Sequence, residues 1–225
     1  MIRSVLFDTE TTGLDPLTGD RVIEVAALEL INDLPTGQHF HALIDPQRDI
    51  PSDVTRIHGI TNAHIKGKPL FDSVAADLLA FFGDGKLIAH NAPFDFGFLN
   101  AEFARLGLPS LAQARMVDTL ILAKQRFPGM PNSLDALCRR FTIDLTARTT
   151  HNALLDCKLL ADVYVELTGG RQRGLSLAAD RGRSNVAVYT HSGDRTPRLF
   201  QPSEAALEAH ENFIGKLKDP VWRAA

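Results

Sequence analysis

The chain has 225 residues, with 24 lysines and arginines against 27 aspartates and glutamates, and 44% of it is hydrophobic. That length allows one good-sized domain with an extension, and the two cysteines, Cys138 and Cys157, stand in apolar helical contexts without CxxC or histidine spacing, which excludes a disulfide scaffold and a structural zinc site. Apolar runs such as 78–82 and 117–123 fall far short of the ~20 residues that span a bilayer, and Met1-Ile2-Arg3 leads straight into a strand, so a cytoplasmic protein without membrane contact is expected.

Taken in chain order, 5–7, 22–30 and 40–44 read as strands, punctuated by Gly13, Asp15-Pro16, Gly19 and Pro35-Thr36-Gly37. From Ser73 the period changes. Ser73 is expected to cap a helix carrying Val74, Leu78 and Phe81; a strand follows at 87–89, then an amphipathic helix over 94–106 closed by Gly107. A strand at 116–117, helices over 119–127 and from Asn132-Ser133, and a last helix over 153–167 complete a body that Gly169-Gly170 ends. Antiparallel strands followed by alternating strand and helix predict an α/β fold, one mixed sheet with flanking helices. The expected division is a body over 1–170, a flexible basic linker over 171–195 and a short ordered tail over 196–225. Charge divides with it: 1–170 holds 15 basic and 21 acidic residues, 171–225 holds 9 and 6, so the body is no simple electrostatic glove for nucleic acid.

Asp8 and Glu10 stand two apart at the end of the first strand, where a period of two puts both carboxylates on one face, able to share a metal ion. Alone, the pair also reads as a solvated strand end. Asp95 follows His90-Asn91-Ala92-Pro93 at a helix start, a place that favours an acidic residue for structural reasons as well, and Asp118 keeps that structural reading. His151 and Asp156, five apart, would point about 140° away from each other on one regular helix. They meet only if His151 lies on the preceding loop and Asn152 caps the helix, with Asp156 projecting from it.

In order, Asp8-Thr9-Glu10-Thr11-Thr12-Gly13, His90-Asn91-Ala92-Pro93-Phe94-Asp95 and His151-Asn152-Ala153-Leu154-Leu155-Asp156 resemble the motifs of the DEDDh 3′–5′ exonucleases, in particular those that proofread for a bacterial replicative polymerase. Ile57-His58-Gly59-Ile60 and 132–138 extend the resemblance over essentially 3–170. It implies a ribonuclease H-like fold and two divalent ions, Mg2+ or Mn2+. Asp8, Glu10 and Asp156 would hold the first ion, Asp8 and Asp95 the second, and His151 would be the general base, its ordinary pKa of about 6.5 suiting that task. The reaction implied is hydrolysis of DNA 3′ ends, single-stranded or frayed, to nucleoside 5′-monophosphates. Thr11, Asp53, His58 and Phe94 would contact the terminal nucleotide, although His58 equally reads as a turn residue before Gly59.

Beyond the body, Gln172, Leu175 and Leu177 look like the Gln-x-x-Leu-x-Leu peptide that binds the sliding clamp, and the end of the chain, with Phe213 and Trp222, is similar to the segment that docks on the polymerase subunit. Two other readings stay open here: an RNA-trimming enzyme of the same superfamily, and a non-catalytic adapter between clamp and polymerase.

Overall fold

The computed structural model describes residues 2–148, 150–169 and 201–218, in two compact units, Met1–Leu175 and Ser176–Ala225. Gln172, Leu175 and Leu177, expected to bind the sliding clamp, and Trp222 lie outside the described residues.

In the first unit β1 (Arg3–Thr11), β2 (Val22–Ile31) and β3 (Leu34–Leu43) form an antiparallel meander, and β4 (Lys86–Ala89) and β5 (Met116–Asp118) add on in parallel, giving the order β3-β2-β1-β4-β5. The mixed sheet is the one expected. Alternation along β1 sorts the core into two layers. Val5 and Phe7 face α3 (Phe71–Phe82) and α4 (Ala92–Arg105), where Phe7 packs on Phe82 and Phe96. Leu6 faces the other way, into a layer built with α5 (Thr119–Arg126), α6 (Leu134–Arg140) and α7 (Ala153–Leu167). By the same alternation Asp8 and Glu10 belong to the α7 side and Thr9 to the α4 side.

Several boundaries differ from expectation. β3 begins at Leu34, since the polar run 34–39 is the exposed part of an edge strand held by its pairing with β2. Ser73 caps nothing: α3 starts at Phe71, whose ring is buried, and the Ser73 hydroxyl donates to Asp72. Two short helices, α1 (Ser52–His58) and α2 (Asn62–Ile65), were not expected at all. Helix α7 has the expected bounds and the expected cap, with the Asn152 side chain accepting from Leu155 N at 3.0 Å. Among the described residues no helix is long and apolar enough to cross a membrane.

In the second unit α8 (Glu204–Ile214) is capped by the Ser203 hydroxyl, which accepts from Ala206 N. Its Ile214 is buried, while Leu207 and Phe213 are exposed.

Candidate active site

The first strand ends in a register shift between Glu10 and Thr11, so that Glu10 stands opposite Glu24 while Thr11 already pairs with Val22. A bulge there twists the strand end and re-aims its side chains, and around it carboxylates from both layers converge. From the α7 side come Glu10, His151 and Asp156, each offering a ligating atom within 4.8 Å of the others. His151 Nδ1 lies 3.5 Å from Asp156 Oδ2, the meeting that only a loop histidine before a capped helix allows. The histidine is also tethered, because its backbone N donates to Ile57 O at 3.1 Å, at the end of α1.

From the α4 side comes Asp95, on the first turn of a helix entered through Asn91 at a positive φ of 65°. Its Oδ1 accepts from Thr9 N at 3.0 Å and from the Thr9 hydroxyl at 2.7 Å. The residue between the two strand acids thus fixes the acid from the opposite layer. Asp118 has its structural role, capping α5 through Leu120 N and accepting from Asn91 N.

Charge is in excess here. Burial drives the Asp8 carboxyl well above the usual range, helped by Asp95, Glu10, Asp156 and Glu24. Glu10 is pushed up to about 8, by burial first and then by Glu24, Asp156 and Asp95, with Arg148 opposing. Asp95 is pushed up to about 7 by burial, against the two Thr9 hydrogen bonds that favour its ionised form. Buried carboxyl groups packed this closely raise one another's pKa, and a positive charge placed among them would favour their ionised forms. The donor set is all carboxylate oxygen plus one imidazole, which suits a hard divalent cation, and the residues therefore fit the ions that the motif resemblance implies.

Arg148 supplies the one positive group in contact with the cluster among the described residues. Its Nε and Nη2 donate to Asp156 Oδ1 and Oδ2 at 2.6 and 2.7 Å, and its Nη1 to Asp135 Oδ1 at 2.6 Å. Glu24 holds the site from below. Only 1% exposed, it accepts from Ala153 N at 3.1 Å and Asn152 Nδ2 at 3.2 Å, and pairs with His41 Nε2 at 2.7 Å, so it ties the first turn of α7 to β2.

The expected nucleotide contacts divide. Thr11 is buried at the strand end, its hydroxyl donating to Gly13 O at 2.6 Å. His58 is buried with Nδ1 accepting from Ile60 N at 3.0 Å, which leaves the proton on Nε2. Nε2 makes no hydrogen bond, although the Thr11 backbone stands near enough to favour the charged ring; burial outweighs that and lowers the His58 pKa. Phe94 is half-buried and packs on Phe98 at 4.9 Å between ring centroids, which commits part of its surface to the core. Asp53 is exposed on α1, ion-paired with Arg56, and is not brought into the carboxylate cluster. Sequence reasoning missed Thr9, Glu24 and Arg148 as parts of the site. For Glu24 a signal existed: a lone carboxylate in the apolar run 22–28.

Residues 5–164 match the RNase_T family, described as exonuclease. The chain belongs to the exonuclease family. Two relatives of this exonuclease, each named DNA polymerase III subunit epsilon, come from Rickettsia felis, 43% identical over 96% of this chain and 97% of that protein, and Pasteurella multocida, 44% identical over 94% and 88%. Among solved structures, exonuclease X in complex with 5′ overhanging duplex DNA aligns with a TM-score of 0.59 and 26% identity over 75% of this chain and 92% of that one. The nuclease domain of 3′hExo, a DEDDh family member bound to rAMP, aligns with a TM-score of 0.62 at 17% identity, over 73% and 90%, which bears out the ribonuclease H-like fold. The resemblance of the motifs to a proofreading exonuclease is borne out by the family match and by the relatives named epsilon.

Proposed function

We propose that this exonuclease hydrolyses DNA from the 3′ end to nucleoside 5′-monophosphates as the proofreading epsilon subunit of DNA polymerase III. The observation that carries the reading is the convergence of Glu10, His151 and Asp156 within 4.8 Å at the bulged end of β1, with Asp8 on the same strand and Asp95 anchored to Thr9. The relatives' shared name supports the proofreading role.

Asp8, Glu10 and Asp156 would hold one divalent ion and Asp8 with Asp95 a second. When bound, the ions would supply positive charge to the phosphate and to the attacking and leaving oxygens. His151, half exposed on its loop, takes the proton of the attacking water, and its tether to Ile57 keeps the ring over Asp156. Thr9 fixes Asp95, and Glu24 fixes the helix that carries Asp156. The unpartnered Nε2–H of His58 and the Thr11 backbone face the terminal nucleotide, with Phe94 beside its base and Asp53 as a more distant contact. Preference for mismatched ends needs no base-specific contact: the end must fray to arrive, which costs a few kcal/mol and least for a mismatch.

The division into body, linker and tail belongs to the same proposal. Gln172, Leu175 and Leu177 engage the sliding clamp and the segment after 195 engages the polymerase alpha subunit, which places the protein in the cytoplasm with the replisome. Tethering raises the effective concentration of the site at the growing end.

The test is Mg2+-dependent release of nucleoside monophosphates from matched DNA and RNA strands labelled at the 5′ end, with wild type beside Asp8→Ala. DNA shortening from the 3′ end that the variant loses and that outpaces RNA supports the proposal. Faster RNA trimming assigns the chain to RNA processing, and no Asp8-dependent hydrolysis of either strand leaves the adapter reading.

A further inference from the structure

We propose that Arg148 is the resident counter-cation of the metal-free site, and that a divalent ion takes its place on Asp156 and in doing so frees His151. The inference rests on the assignment of Asp156 as a metal ligand.

The guanidinium side chain is only 9% exposed and spends its whole fork on the site. Both Asp156 oxygens accept from it, at 2.6 and 2.7 Å, the two-pronged geometry that gives an arginine its strongest grip on a carboxylate. The same Nη2 that holds Asp156 Oδ2 lies 3.1 Å from His151 Nδ1. An arginine N–H only donates, so Nδ1 is the acceptor and the ring proton sits on Nε2. The lone pair that faces the carboxylates is therefore occupied. One side chain thus neutralises a metal ligand and covers the base, and both are released when it moves.

Asp135 makes that movement inexpensive. It accepts from Nη1 at 2.6 Å and is 40% exposed, so it sits at the solvent side of the guanidinium. Once Asp156 turns to an ion, Arg148 keeps a carboxylate partner and is not stranded as an unpaired buried cation, the outcome that makes breaking buried pairs costly. The arginine comes from the loop after α6, where Arg148 N donates to Leu145 O, and not from the body of a helix or strand. A loop residue can change its partner without disturbing the two core layers.

The experiment uses the full chain without DNA, with Mn2+ for calorimetry and Mg2+ for NMR. Calorimetric titration with Mn2+ is run on wild type, Arg148→Gln and Arg148→Lys, and the Arg148 Nε–H resonance of the wild type is followed by NMR through a parallel titration with Mg2+. If Arg148 is exchanged for the ion, both variants bind Mn2+ about tenfold more tightly or better, since neither has the fork to displace. With diamagnetic Mg2+ at saturation, the wild-type Nε–H signal leaves its hydrogen-bonded position. Lysine keeps the charge, so tighter binding by Arg148→Gln alone would reflect net charge and overturn the exchange. Unchanged or weaker binding by both variants overturns it too, as does an Nε–H signal that stays in place at saturation. If a variant fails to fold, the wild-type resonance alone decides. Wild type that binds no Mn2+ refutes the metal-site assignment, and the exchange with it; wild type that binds while the arginine stays put refutes only the exchange.

Discussion

Replacing Glu24 by alanine removes the acceptor for three groups: Ala153 N, Asn152 Nδ2 and His41 Nε2. A buried donor left without a partner costs about 1–3 kcal/mol. Ala153 is fully buried and bears that cost in full, while Asn152 is half-buried and His41 lies at the surface, so water recovers part of theirs. Removing a negative neighbour of Glu10 returns a fraction as well, because Glu24 is the foremost charge that raises the Glu10 pKa. The net expectation is a loss of about 3 kcal/mol, which for a domain of this size lowers the unfolding midpoint by about 6–12 °C. The same change loosens the first turn of α7 from β2 and lets Asp156 drift from Glu10. Misplacement by an ångström at a reacting centre costs up to about a hundredfold in rate, so exonuclease turnover measured well below the new midpoint is expected to fall at least about tenfold. Urea unfolding monitored by circular dichroism, beside single-turnover hydrolysis of a short DNA strand, checks both halves. A stability loss under about 1 kcal/mol with wild-type turnover would show that the Glu24 network neither holds α7 nor sets the site.

Three further outcomes are expected. In chelator, Glu10 and Asp95, raised to about 8 and about 7 from ordinary values of 4.5 and 3.8, contribute stability that is whole below the ordinary values and lost as pH rises through the raised ones. Thermal unfolding in EDTA should therefore weaken from pH 5 to pH 8, each protonated group contributing a slope of about 1.4 kcal/mol per pH unit, and a flat or rising curve would contradict it. Chelation should also abolish binding of a single DNA strand as well as its cleavage, because the body carries net negative charge; fluorescence anisotropy showing unchanged affinity in EDTA would count against that. Deleting 178–225 should spare hydrolysis of short strands and break association with the polymerase alpha subunit, and co-migration of the truncated chain with that subunit on size exclusion would refute it.

The parts of the fold that declare themselves in sequence are those with a buried face and a cap. Helix α7 shows apolar spacing behind Asn152, and β1 and β2 show short apolar runs, 5–7 and 22–28, bounded by turn residues, as buried strands do. The first half of β3 has no such mark, since an edge strand with both faces exposed is held by backbone hydrogen bonds that any sequence can make. Helix α1 has seven residues and α2 four, too few for a helical period to repeat, and tertiary contact decides them. The five residues of the proposed catalytic set are legible because their chemistry is unusual for their places. Their supports are not: Thr9 is an ordinary strand residue and Arg148 an ordinary loop residue until α4 and α7 are packed on the sheet. The resolution of the spacing problem between His151 and Asp156 was legible, but the Ile57 carbonyl that holds the histidine belongs to the helix that periodicity could not reveal.

The acids of this site come from distant parts of the first unit: Asp8 and Glu10 from β1, Asp95 from α4 after four strands, and Asp156 from α7. No shorter intermediate holds the set, because one layer contributes Asp95 and the other Asp156, and neither reaches the bulge until it is packed. A copy in which either layer is unpacked lacks the full set, so cleavage is expected only from the fully folded first unit.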